Sequence, residues 1–215
     1  MKKILIPVLI GALTLSACAP VVILGGAVAG VYTASERRTV AQQVDDNKLA
    51  DLVERRITEN FGETIHVNAN VFNGVLLLTG ETPTPELRNA FQQLIKQTPN
   101  AKRIVDETKQ IPLSTTQWRL NDSAMTTKVK SRLTNTEAFH IAHIKVITEG
   151  NDVFLMGKVT QKEAVAAIEI ARTTNSVNRV INVFEIMSEE EWKKEADANT
   201  RPAANSPERV EAPKK

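Results

Sequence analysis

Val75-Leu76-Leu77-Leu78-Thr79-Gly80 and Asp152-Val153-Phe154-Leu155-Met156-Gly157 are two apolar runs of equal length, each closed by a glycine, about 76 residues apart. The likeness extends outward from them. Lys102-Arg103-Ile104-Val105-Asp106 is matched by Asn178-Arg179-Val180-Ile181-Asn182, and Asp46-Asn47 by Asn121-Asp122 ahead of a helical stretch. Self-similarity kept in one order marks a duplicated module. A module of roughly 65 to 70 residues is near the lower size for a stable core, so each copy is expected to lean on its neighbour.

In the first copy Leu49, Val53, Ile57 and Phe61 recur at helical spacing, with Asp45, Asp46 and Asn47 read as caps before them. Ile65, Val67, Ala69 and Val71 then alternate with polar residues, and Asn73-Gly74 turns the chain into the run Val75 to Thr79, a hairpin. Pro83 and Pro85 open a second helix, Pro99-Asn100 ends it, and Arg103 to Ile111 returns as a strand. The order is αββαβ, with two helices covering one face of a three-stranded sheet. The second copy repeats it: Met125, Val129 and Leu133 line a helix, Ile144, Val146 and Thr148 alternate, and Gly150-Asn151 turns. A helix with Ala164, Ala167, Ile168 and Ala171 follows, then a last strand near Arg179 to Ile186. The predicted segments are 18–44 as a tether, 45–111 and 119–187 as the two copies, and 112–118 as a linker. From 188 to 215, three prolines and interspersed charge predict a disordered tail.

The chain has 215 residues, 42% of them apolar and 24% charged, which excludes a disordered polymer and a disulfide-rich miniprotein. Its start carries Lys2 and Lys3, an apolar stretch from Ile4 to Leu15, and the small residues Ser16 and Ala17, the three-part pattern of an export signal over 1–17. A membrane-spanning helix is the rival reading, but Pro7, Ala19-Pro20 and Gly25-Gly26 interrupt it. Leu15-Ser16-Ala17-Cys18 resembles the bacterial lipobox, in which the cysteine sulfur is acylated and the signal is cut before it. Cys18 is the only cysteine, so an internal disulfide is excluded. Removing the signal takes two lysines from 27 basic residues against 25 acidic and leaves 25 against 25. Neutrality argues against a general nucleic-acid binder, which needs surplus cations to displace counterions from phosphate.

The paired glycines, the Arg-Ile-Val-Asp and Arg-Val-Ile-Asn endings and the αββαβ order resemble the BON domain, a bacterial module often duplicated in exported proteins. With the lipobox, the chain from Cys18 to about Met187 resembles the dual-BON outer-membrane lipoproteins of the DolP (YraP) family. The resemblance implies an α+β fold of two tandem BON domains, each with a three-stranded mixed sheet packed against two helices. Ala19 after the lipidated cysteine implies sorting to the outer membrane, facing the periplasm. Envelope integrity and a place at the division site are also what it implies.

No catalytic residue is nominated. Neither a nucleophile elbow nor a zinc-hydrolase helix motif occurs, and no cofactor is expected. Gly25-Gly26-Ala27-Val28-Ala29-Gly30 mimics part of a dinucleotide loop but follows no strand. His140 and His143 lack carboxylates at ligand spacing and are read as surface or half-buried, so no metal is expected.

Charge separates the copies: residues 45–111 carry 8 basic and 10 acidic side chains, and 119–187 carry 9 and 7. On the first helix of the second copy Lys128 and Arg132 face outward, with Lys130 on a flank and Ala124 one turn earlier. On the residues alone this is first an ordinary solvated helix face. The resemblance gives it another meaning, because the second BON domain of DolP-like proteins binds anionic phospholipid, chiefly phosphatidylglycerol, through this helix. Lys128, Lys130 and Arg132 carry over as head-group contacts. Ala124 stands where the family pattern has an aromatic, and Trp118, placed in the linker, replaces it only if the chain folds back. The alternative is a protein-binding adaptor, in which the acidic first copy or a sheet edge docks assembly or peptidoglycan-remodelling machinery.

Overall fold

The computed structural model describes residues 36–200, with side chains to Lys194. The export signal, Cys18, the glycine-rich stretch and the chain after Thr200 lie outside the described residues. Helix α1 (Val40–Phe61) precedes β1 (His66–Phe72) and β2 (Val75–Glu81), and α2 (Pro85–Lys96) leads into β3 (Arg103–Lys109). The second copy holds α3 (Thr116–Thr134), β4 (Ile144–Glu149), β5 (Asp152–Val159), α4 (Gln161–Arg172) and β6 (Arg179–Ile186). In each sheet the middle strand pairs antiparallel with the hairpin strand before it and parallel with the strand after it. The expected α+β class and the mixed three-stranded sheets are therefore present in both copies.

The middle strands are apolar without alternation because both of their faces are covered. Leu76 and Leu78 point to α1 and α2, joining Leu49, Val53, Ile57, Phe91 and Ile95 in one core. Val153, Leu155 and Val159 do the same beneath α3 and α4. The opposite faces meet each other: Phe72, Val75 and Leu77 pack with Phe154, Met156 and Val183 in a third core between the domains. This is the mutual support that the module's small size calls for. Polar contacts surround it, with Lys109 Nζ 2.7 Å from Asp152 Oδ2 and Asn73 Nδ2 donating to Glu185 Oε2 at 2.8 Å. Arg37, just ahead of α1, grips Glu163 of the second domain through two bonds of 2.7 and 2.8 Å.

Three expectations require correction. Asp45, Asp46 and Asn47 do not cap the first helix, which starts earlier: the Thr39 hydroxyl accepts the Gln42 N–H and the Gln42 side chain accepts the Thr39 N–H. The tether therefore stops short of residue 44. The linker is shorter as well, because Thr115 caps α3 by accepting the Trp118 N–H, so Trp118 and Asn121-Asp122 are helical. Finally, α5 (Glu189–Thr200) occupies the start of the predicted disordered tail. Ser188 and Glu191 form a reciprocal cap, and three glutamates in the first turn complement the helix dipole.

Asp46 instead heads the inward stripe of α1 and is 5% exposed. Its carboxylate accepts the N–H groups of Asn73 and Gly74, both at 2.7 Å, in the left-handed turn between β1 and β2. Asp122 heads the stripe Met125, Val129, Leu133 of α3 and accepts from Gly150 and Asn151, both at 2.9 Å. Each module thus ties its first helix to its hairpin turn by charge-assisted bonds. Asp122→Ala leaves two turn N–H groups without partners and is expected to cost about 2 to 3 kcal/mol in urea unfolding. A loss below about 0.5 kcal/mol, the range of ordinary surface substitutions, would contradict this role.

Candidate functional site

Along α3 the residues at Asp122, Met125, Val129 and Leu133 are buried, and the remaining faces of the helix look outward. Ala124, Lys128, Lys130 and Arg132 are all exposed. The cations are not equivalent. Arg132 donates through Nη1 to the Ile170 carbonyl at 2.9 Å and to Thr174 Oγ1 at 2.6 Å, and through Nη2 to Thr173 Oγ1 at 3.2 Å. Lys128 Nζ donates to the Asn175 carbonyl at 3.1 Å. Both therefore stand over the C-terminus of α4, where free carbonyls carry partial negative charge. The Lys130 ammonium, on the other flank, makes no hydrogen bond among the described residues, and its charge acts on Lys145. Burial, helped by Arg38 and Lys130, lowers the Lys145 ammonium from its ordinary range, against the pull of Asp46 and Glu54. The three nominated cations thus divide between two flanks of one helix.

The N-terminal turns of α3 add what the sequence reading missed. Leu120 is 58% exposed and Trp118 64%. Leu120, Ala124 and Lys128 follow at four-residue steps, so an apolar side chain, a small one and a cation share one outward face. Trp118 overhangs a recess of about 450 Å³ lined by Asn121, Asp122, Gly150, Asn151 and Asn178. The corresponding recess of the first domain, about 520 Å³, is lined by charged residues including Asp45, Asp46, Lys48 and Lys102. One recess position is aromatic and amide-rich in the second copy and ionic in the first. The signal for Leu120 was available: it lies one turn before Ala124 once the helix is known to begin at Thr116.

A model of the BON domain matches residues 45–112 and 121–188, which is both copies. Outer membrane lipoprotein DolP of Haemophilus influenzae is 34% identical over 190 residues, covering 87% of this chain and 97% of that protein. The chain belongs to the dual-BON DolP family. The 21 kDa hemolysin of Actinobacillus pleuropneumoniae is also similar, 32% identical over 149 residues, covering 68% of this chain and 77% of that one. Among solved structures, CdsD, a structural protein of the type III secretion system of Chlamydia trachomatis, is 14% identical over 74% of this chain and 70% of its own, with a TM-score of 0.28.

Within this DolP-family chain no described helix is long and apolar enough to cross a membrane. His140 is exposed, and its ring lies 5.8 Å from that of His143. Burial, then the Arg37 charge, lowers His143 to about 4 against the pull of Glu163, so at neutral pH it is an uncharged, half-buried side chain.

Proposed function

We propose that this DolP-family chain is an outer-membrane lipoprotein, anchored through acyl chains on Cys18, whose second BON domain reads anionic phospholipid, phosphatidylglycerol above all, on the periplasmic face. In this role it supports envelope integrity without catalysing a reaction, and lateral enrichment at the division site follows from the lipid preference. The relative named as an outer membrane lipoprotein, aligned over nearly its whole length, supports the localisation. The observation that carries the lipid reading is the outward side of α3, which sets Leu120 ahead of Ala124, Lys128, Lys130 and Arg132. In this arrangement Leu120 supplies the apolar contact that Ala124 does not.

The energetics suit a weak, tethered contact. A basic residue near an anionic leaflet contributes about 1 kcal/mol, and Lys128 and Arg132 contribute less than that while they serve the end of α4. Acyl anchoring makes the contact intramolecular at millimolar effective concentration, so a small preference is enough to bias position. Exposed Trp118 and Leu120 add apolar burial at about 25 cal/mol per Å².

Residues 36–194 are expected to sediment with phosphatidylglycerol vesicles, and Lys128→Glu with Lys130→Glu to weaken that binding about tenfold, a contact of about 1 kcal/mol at Lys130 and a smaller one at Lys128 being lost. Arg132 is left intact because it holds the end of α4. Unchanged binding in the double variant would remove the site from α3. The adaptor reading rests on one observation: β3 is a sheet edge, and Ile104 on it is 37% exposed. Crosslinks to an envelope protein at β3, without vesicle selectivity, would favour it.

A further inference from the structure

His66 opens β1 and Glu81 closes β2, directly opposite each other in the antiparallel register. Glu149, the last residue of β4, reaches them from the second domain. One imidazole nitrogen and one oxygen from each carboxylate all lie within 4.8 Å of one another. Glu81 and Glu149 are buried, 5% and 7% exposed, and His66 is half-buried. Neither glutamate has an ion pair among the described residues. Arg119, the cation whose charge is felt at His66, spends its guanidinium on Ser114 instead.

Residues outside the trio hold each carboxylate by one oxygen. Asn68 Nδ2 and Thr79 Oγ1 donate to Glu149 Oε2 at 3.0 and 3.3 Å, and the Ser114 N–H and hydroxyl donate to Glu81 Oε2 at 3.4 and 3.2 Å. The Oε1 atoms of both accept no hydrogen bond among the described residues. Oriented carboxylates with one oxygen left open are what an outer shell does for a metal ligand. A recess of about 350 Å³, bordered by His66, Asn68, Arg119 and Glu149, gives solvent a way in.

We infer that His66, Glu81 and Glu149 form a site for a divalent transition-metal ion of the zinc or manganese class, which clips the first BON domain to the second. Two carboxylates neutralise the dication, and the imidazole disfavours magnesium and calcium, which take oxygen ligands. Three protein ligands leave a fourth position to water. Bonds of about 2.1 Å at a tetrahedral angle bring ligand atoms to roughly 3.4 Å, so no pair in the trio closes by more than about 1.4 Å on binding, within reach of glutamate side-chain rotation.

The test uses the full mature chain in detergent micelles, stripped with a chelator and titrated calorimetrically with ZnCl₂ and, separately, MnCl₂. One saturable site per chain is expected, with a higher melting temperature in the loaded protein. Glu149→Gln keeps an oxygen for Asn68 and Thr79, so it should fold while losing at least about tenfold in affinity, as should His66→Gln. His140→Gln should change nothing. Absence of saturable uptake of either ion, or uptake unaltered in both His66→Gln and Glu149→Gln, would overturn the site.

Discussion

Alanine at Gly157 should destabilise the protein by about 3 kcal/mol, and alanine at Gly80 by a similar amount. A Cβ built at Gly80 lands on the carbonyl oxygen of His66, and one at Gly157 on that of His143. In both cases the obstacle is backbone, His66 at the start of β1 and His143 just before β4, held by the ladder where Gly80 faces Val67 and Gly157 faces Ile144. A side-chain rotation cannot relieve it. At Gly80 the backbone also adopts φ of 124°, a conformation that favours glycine. For a chain of this size the loss converts to a melting temperature lower by about 6 to 12 °C, with an unchanged urea m-value. A change within about 0.5 kcal/mol would mean that the sheets relax freely and that the repeated glycine has another cause.

The other large effect concerns the anchor. Replacing the nucleophilic sulfur with Cys18→Ser should leave the leader uncut and abolish acylation, and the processed, acylated form should disappear from mass spectra of the membrane fraction. If the leader is nevertheless removed, membrane retention should fall at least about tenfold, because a few charges near a leaflet cannot replace several buried acyl chains at about 0.8 kcal/mol per methylene. A processed and membrane-bound Cys18→Ser protein would show that something other than this residue holds the chain.

Much of the fold was legible because its signals are local. Asn73-Gly74 and Gly150-Asn151 take the left-handed conformations that two-residue hairpins need, and the strands pair on either side of them as the alternation predicts. The unbroken run Val75 to Leu78 predicts a strand with helices over one face, and what covers its second face is not in the pattern. That partner is the other copy's sheet, and a sequence repeat does not say which faces of the two copies meet.

The misreadings at the first helix of each copy share one cause. Asp45-Asp46-Asn47 has cap chemistry, but Asp46 sits at the head of the apolar stripe of α1, where it serves a turn 27 residues on. The same misreading moved Asp122 out of α3. Had the position been read as part of both stripes, the paired acids would have appeared as a feature of the module. Trp118 was misplaced, and Leu120 passed over, for the same reason, since the helix begins before its apolar periodicity does. The capping pair Ser188 and Glu191, by contrast, is legible in the sequence as Ser-x-x-Glu, ahead of the prolines from which disorder is predicted. The trio His66, Glu81 and Glu149 has no sequence signature: its members come from two modules, and only the meeting of the sheets joins them.

The most direct measurement is the affinity of residues 36–194, freed of any anchor, for vesicles of phosphatidylglycerol and of phosphatidylcholine at two salt concentrations. The domain pair should bind the anionic vesicles weakly but measurably, release them as salt rises, and ignore the neutral ones. Equal binding to both lipids, or none to either, would contradict a second BON domain that reads anionic phospholipid.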